Sequence, residues 1–274
     1  MTGTEGRSRR RVQSIEVGFH VLRALRTAEG PLPLREIAER VAMPPSKVHL
    51  YLVSFVRENM VYQDPRTGFY GFGSFAIQLG LTALRQLDVV SFAGDPINAL
   101  RDRTGCAIYL TLWGDQGPCI VAKADGTMQG AFALRLGFIL PATTTATGQV
   151  FVAYLPREDI ERVLDAQREA GSPQLVRASN RAIDLDQVAE ETRARGYSST
   201  AGRLNQNFAA VAAPVFGADG RLAAALTLLG PTDFIAGERR DQFRAMLLDT
   251  TGEIADQMAS SAAAAAAAVK PARK

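Results

Sequence analysis

Residues 45–57, PSKVHLYLVSFVR, put two different surfaces on one helix. At about 100° per residue, Val48, Leu52, Phe55 and Val56 form one apolar stripe, and Ser46, Lys47, Leu50, Ser54 and Arg57 fall opposite it. Pro45 suits the first helical turn, where its missing N–H costs nothing. Such a helix docks on its own fold with one side and turns small polar and basic groups outward with the other. A reader of the DNA major groove has that division.

Two helices are expected before it. Ser14 is the expected N-cap of the first, with Ile15, Phe19, Leu22 and Leu25 recurring on an inward face until Gly30-Pro31 ends the segment. The second turns Leu34, Ile37, Ala38 and Val41 inward and Arg35, Glu36, Glu39 and Arg40 outward, from a poorly capped start at Pro33. After the third helix, residues 60–63 and 69–72 read as short strands around Asp64-Pro65-Arg66-Thr67-Gly68, with Arg66 and Thr67 at the tip of the turn. Three helices and a hairpin with a basic tip make a winged helix-turn-helix over residues 12–73.

Charge sits where this reading needs it. The net charge is +3, but residues 1–73 hold 11 Arg and Lys against 7 Asp and Glu, and the rest hold 20 against 21. Residues 1–11 form a flexible basic arm with Arg7, Arg9, Arg10 and Arg11. A clustered surplus is the footprint of phosphate contacts; for the arm alone, a solvated tail is the other reading. The DNA-facing set expected is Arg9, Arg10, Arg11, Ser14, Pro45, Ser46, Lys47, His49, Leu50, Ser54, Arg66 and Thr67. The rival for the domain is a protein-interaction adaptor that uses the same winged shape as a platform, since fold alone does not fix function.

Residues 74–91 read as an apolar linker helix, with Phe75, Ile77, Leu79, Leu81, Leu84 and Leu87 on more than one side. Beyond it, residues 92–260 mix strands and helices. Pro96 to Arg103 is helical; 106–113 and 118–124 are strands around Gly114-Asp115-Gln116-Gly117; 129–136 is a third strand. Helices follow over 147–154 and 157–166, and another from the N-cap Asp184, with Gln187 three residues on and Ile183 and Val188 as a staple, to Gly196. Residues 208–216 and 221–229 are strands around Gly217-Ala218-Asp219-Gly220, apolar on both faces and so covered on both. A last helix follows Gly237, and 261–274 is a low-complexity tail. The fold class is α+β.

The amino-terminal stretch resembles the DNA-binding domain of the IclR family of bacterial regulators. The likeness rests on Ser46-Lys47-Val48-His49 opening the third helix and on the wing Asp64-Pro65-Arg66-Thr67-Gly68-Phe69-Tyr70. It continues in Pro141-Ala142-Thr143-Thr144-Thr145-Ala146-Thr147-Gly148-Gln149, in Ala212-Ala213-Pro214-Val215 and in Gly230-Pro231, over about residues 12–258. The resemblance implies a linker helix that pairs subunits and a GAF-like effector-binding domain. It also implies a homodimer or dimer of dimers on a palindromic double-stranded operator, with repression as the expected direction. The chain departs from the family pattern at Leu50 (Arg in the family), Gln149 (Lys), and Arg203 and Asn207 (Glu and Gly).

Enzyme chemistry lacks its tools. Both histidines, His20 and His49, lie in the first quarter of the chain, so the second domain has no imidazole. Carboxylates lack metal-ligand spacing, no nucleotide-binding or nucleophile-elbow motif occurs, and two cysteines, Cys106 and Cys119, make neither a disulfide framework nor a metal quartet. No cofactor or metal is expected. No apolar run approaches a bilayer span and no secretory signal is seen, so a cytoplasmic protein is expected. The candidate effector site is Thr143, Thr144, Thr145, Ala146, Thr147, Arg203, Asn205 and Thr227. A hydroxyl-rich loop opening a helix offers donors to an acidic or aromatic small molecule, with Arg203 as its counter-charge. The other reading is that the threonines merely cap and turn the chain, that the Thr227 hydroxyl bonds to backbone, and that Trp113 is core or interface.

Overall fold

The computed structural model describes residues 12–28, 30–127, 134–169 and 184–268. The chain divides into two compact units, Met1–Gln86 and Leu87–Lys274.

The first unit contains α1 (Gln13–Arg26), α2 (Leu34–Arg40), α3 (Pro45–Arg57), β1 (Val61–Gln63), β2 (Tyr70–Phe72) and α4 (Ser74–Arg85). Val21, Leu22 and Leu25 from α1, Ile37 and Ala38 from α2, and Val48 and Leu52 from α3 meet in one core with Val61 and Tyr70. Close approach of α1 to α3 is set by Gly18, where a Cβ would stand 3.0 Å from the Phe55 ring. The wing strands pair in antiparallel register, Val61 with Phe72 and Gln63 with Tyr70. Leu32 and Tyr70 exchange backbone hydrogen bonds of 2.9 and 2.8 Å, tying the wing to the α1–α2 connection.

Two details of α1 differ from the sequence expectation. Its N-cap is Val12, with no side-chain cap, so Ser14 is an exposed residue inside the first turn. Ile15 and Phe19 face out at 57% and 56% exposure, with Val12 one step before them at 58%. The inward face is Gly18, Val21, Leu22, Ala24 and Leu25 instead. Apolar spacing had located a stripe, but the stripe and the core-facing side are neighbours on the helix.

Both helices of the helix-turn-helix end the same way. Met43 N–H bonds to Ala38 O and Ala42 N–H to Glu39 O after α2; Met60 N–H bonds to Phe55 O and Asn59 N–H to Val56 O after α3. This double closure needs a left-handed residue, supplied by Ala42 (φ 51°) and Asn59 (φ 54°). Asn tolerates that region, whereas Ala strains in it.

The second unit begins with α5 (Asp88–Thr104), then β3 (Ala107–Gly114), β4 (Gly117–Ala124), α6 (Ala146–Tyr154), α7 (Arg157–Glu169), α8 (Leu185–Arg195), β5 (Ser198–Ala201), β6 (Phe208–Phe216), β7 (Leu222–Pro231), α9 (Thr232–Ile235) and α10 (Glu238–Ala268). The helix expected over residues 74–90 is two: α4 stops at Arg85, and α5 starts at Asp88 and runs through Pro96. Residues 134–136 are not a strand, and 128–133 lie outside the described residues, as do Ile183 of the expected staple and 269–274 of the tail. Residues 261–268 continue α10.

The strands form one antiparallel sheet in the order β4-β3-β7-β6-β5. Alternation splits its residues cleanly. Ile108, Leu110, Val211, Ala213, Leu226 and Leu228 face α5 and α10, which contribute Ile97, Leu100, Phe243, Leu247 and Ile254 to the same core. On the other face Ala212 and Ala225 pack under Ala146, Val150 and Phe151 of α6. The small alanines let α6 sit low on the sheet, and Trp113, at the end of β3, tilts against Phe151 with ring centroids 5.3 Å apart.

Replacing Ala42 by Gly removes the Cβ strain at the α2–α3 turn. Strain relief of about 1–2 kcal/mol, less the entropy of Gly, leaves a gain of about 0.5–1 kcal/mol. A higher denaturant midpoint for the isolated transition of the amino-terminal unit is the expected result; an unchanged or lower midpoint contradicts it.

Candidate functional site

The outer face of α3 is open. Val48 and Leu52 have no exposed surface, whereas Leu50 is 68% exposed and Pro45, Ser46, Lys47, His49, Ser54 and Arg57 are all exposed. The Ser54 hydroxyl donates to Leu50 O at 3.1 Å, so it faces a partner chiefly as an acceptor. Charges on α2 neutralise each other along the helix, Arg35 with Glu39 and Arg40 with Glu36. Lys47, Arg57 and Arg66 have no such carboxylate among the described residues. Cations without a carboxylate partner are therefore present on both α3 and the wing tip.

The wing tip is held by Asp64. Its carboxylate accepts from the Arg66 and Thr67 backbone N–H groups at 2.7 and 3.1 Å, and these bonds hold its pKa below the usual carboxylate value. Phe69 N–H donates to the Thr67 hydroxyl at 3.3 Å. Thr67 is thus partly spent on the turn, while the Arg66 guanidinium remains exposed. Arg9, Arg10 and Arg11 lie outside the described residues.

On the α6 side of the second unit is a cavity of ≈ 490 Å³ of atom-free space, part of it open to solvent. It brings together Thr145, Thr147, Arg203, Asn205 and Thr227 of the expected effector set. Thr143, Thr144 and Ala146 are buried but do not line it. Thr145 is the cap of α6: its hydroxyl donates to Pro141 O at 2.8 Å and accepts from Gly148 N–H at 3.0 Å. Thr227 does not bond to backbone; its hydroxyl meets that of Thr147 at 2.8 Å.

Tyr109 is the polar wall residue that local sequence did not reveal. It is 1% exposed, stands directly across from Thr227 in the β3–β7 ladder, and its hydroxyl accepts the Leu134 N–H at 3.2 Å. Burial pushes its pKa up. Leu134, Leu140, Phe208 and Leu229 supply apolar wall. Arg203 and Thr200 are shared with an adjoining polar cleft that also includes Gln149, Arg195 and Ser198.

The Cys106 thiol is not placed as a nucleophile. Cys106 is fully buried, and burial pushes its pKa up to about 12, so it stays protonated at neutral pH. Among the described residues no group of His, Cys, Asp and Glu is arranged to hold a metal ion, and no helix is long and apolar enough to cross a membrane.

The sequence pattern of the IclR helix-turn-helix domain matches residues 14–65, and that of the bacterial transcriptional regulator IclR C-terminal family matches residues 81–256. The chain belongs to the IclR family. It is a DNA-binding transcriptional regulator. Among relatives of IclR type, the regulator KdgR of Escherichia coli is 26% identical over 90% of this chain and 93% of its own. The glycerol operon regulatory protein of Streptomyces coelicolor is 28% identical, with 88% and 94% covered. Among solved structures, HmgR of Pseudomonas aeruginosa is 33% identical with a TM-score of 0.55, covering 90% of this chain and 98% of its own. A transcriptional regulator from Alicyclobacillus acidocaldarius is 26% identical with a TM-score of 0.73, covering 90% and 99%.

Where the IclR pattern has Lys, Gln149 acts as a strut. Its amide N–H donates to Thr143 O at 3.2 Å, and its carbonyl oxygen accepts from the Ser198 hydroxyl. A neutral amide can do both at once, which an ammonium cannot. The neighbouring Gly148 has no room for a side chain: a Cβ would stand 2.2 Å from Ala142 O and 2.6 Å from Pro141 O. Gly148→Ala forces a methyl group against the backbone carbonyls of Pro141 and Ala142 beneath the capped turn, with an expected loss of more than about 2 kcal/mol. Thermal unfolding of the carboxy-terminal unit checks this, and a variant that melts like the parent contradicts the assigned packing.

Proposed function

We propose that this IclR-family protein acts as a cytoplasmic repressor without catalytic activity, reading a palindromic operator as a homodimer or dimer of dimers. Ser46, Lys47, His49 and Leu50 meet base edges in the major groove, with Pro45 and Ser54 beside them. Arg66, Thr67, Ser14 and the arm Arg9, Arg10 and Arg11 meet phosphates or the minor groove. The observation that carries this reading is the division of α3, where Val48 and Leu52 are wholly buried while Leu50 between them is 68% exposed. Pairing of subunits is supported by α4, which has no buried residue although it is apolar, with Phe75, Ile77, Leu79 and Leu81 each at least 44% exposed. Two recognition helices about 34 Å apart then address successive half-sites.

The cavity against α6 takes a small acidic or aromatic metabolite. Thr145, Thr147, Thr227, Arg203 and Asn205 bear on it directly, and Thr143, Thr144 and Ala146 hold the turn that presents them. Such an effector regulates by differential affinity: whichever arrangement of the paired heads binds it better gains population. Support comes from the hydroxyl pair and an arginine without a carboxylate partner among the described residues.

Salt dependence tests the DNA reading against a protein-interaction platform. Duplex affinity measured by fluorescence anisotropy at stepped salt is expected to fall with a log–log slope of about −0.9 per phosphate contacted. Absence of duplex binding at low salt overturns the reading. Leu50 offers a methyl-sized contact to thymine, and Leu50→Arg supplies a fork for guanine; the preferred base at one operator position is expected to move from T toward G. Selection from a randomised duplex pool checks this, and an unchanged preference means Leu50 does not read sequence.

A further inference from the structure

The cavity has more hydrogen-bond protons than the described residues accept. A phenol has one proton to give: Tyr109 accepts the Leu134 N–H on its oxygen, and no acceptor for its own proton stands among the described residues. In the Thr147–Thr227 pair one hydroxyl donates to the other, which leaves the second proton over. Tyr109, Thr147 and Thr227 are 1%, 2% and 4% exposed, so these protons lie at the closed end. Arg203 is exposed, and together with Asn205 it marks the open end. Between the two poles the walls are Leu134, Leu140, Phe208 and Leu229. Buried donors without acceptors are costly, and a ligand oxygen that accepts from them gains that free energy on binding.

We infer that Tyr109 is the residue that discriminates among effectors, donating its phenolic proton to an oxygen at the buried end of a ligand whose carboxylate stays at the Arg203 end. The effector is then an acid with a second accepting oxygen, a keto or hydroxyl group, across a short apolar body. The inference rests on the effector-pocket reading above and narrows it. Burial keeps Tyr109 protonated well above neutral pH, so its donor role persists across the physiological range. The Leu134 N–H, by filling the acceptor side of the phenol, leaves donation as the function free for a ligand. A site built to hydrogen-bond an oxygen rejects the analogue without it more strongly than an apolar pocket rejects a missing methylene.

Calorimetric titration of the full-length protein with two matched pairs of acids tests this: 4-oxopentanoate against pentanoate, and 4-hydroxybenzoate against benzoate. In at least one pair the oxygen-bearing member is expected to bind about tenfold more tightly. Tyr109→Phe is expected to bring that ratio to about one while leaving the plain acid within about twofold. Thr227→Val, which spares the phenol, is expected to keep most of the ratio. Equal affinities within both pairs for the unmodified protein overturn the inference, whether or not Tyr109→Phe folds. So does a ratio that survives Tyr109→Phe and collapses in Thr227→Val, which assigns the selection to the threonine pair. Failure of all four acids to bind is a different result, and it removes the acidic-effector reading itself.

Discussion

Leu52 and Val48 bind α3 into a small core, and everything asked of the amino-terminal unit depends on that attachment. A helix that offers Ser46, Lys47 and Leu50 to a partner has given up half its circumference. It is held only by its remaining stripe and by the Schellman closures before and after it. The turn through Ala42 fixes the angle at which α3 leaves α2, and Gly18 lets α1 approach the back of Phe55. Side chains on the open face are therefore presented by a scaffold whose own hydrogen bonds are already satisfied, which lowers the ordering cost of binding.

The second unit solves a different problem. Its sheet is apolar on both faces, so polar groups between β3, β7 and α6 have to find partners without water. Thr145 finds them in the cap of α6, and Gln149 finds them in Thr143 and Ser198. Tyr109 and the Thr147–Thr227 pair are satisfied only in part among the described residues. A ligand that satisfied those donors would stabilise the folded unit, and it would shift conformation only by the difference in its affinity for the two arrangements.

Much of the fold was legible because its signals are local. Pro45 marked the start of α3, and the 3.6-residue stripe marked its buried face. Asp184 with Gln187 and Gly196 marked both ends of α8, and Gly217-Ala218-Asp219-Gly220 marked the β6–β7 hairpin. Where the reading failed, the deciding partner was remote or the signal was silent. Ile15 and Phe19 have helical spacing, but which face the core takes is settled by α3. The break between α4 and α5 at Gln86-Leu87 carries neither Gly nor Pro, while Pro96, an apparent start signal, sits inside α5. Ser198–Ala201 is too short and polar to announce a strand. Of the cavity, the threonine loop and Arg203 were readable from composition. Tyr109 was not, because it becomes a neighbour of Thr227 only through strand pairing.

Trp113 gives the molecule a property unrelated to regulation. It is the only tryptophan in the chain, and its indole rests on Phe151 of the same short helix whose first turn carries Thr147. Any occupant that moves α6 by a fraction of an ångström alters the packing and polarity around that ring. Its intrinsic emission is therefore expected to respond to the state of the cavity through α6, without a dye, a label or an engineered residue.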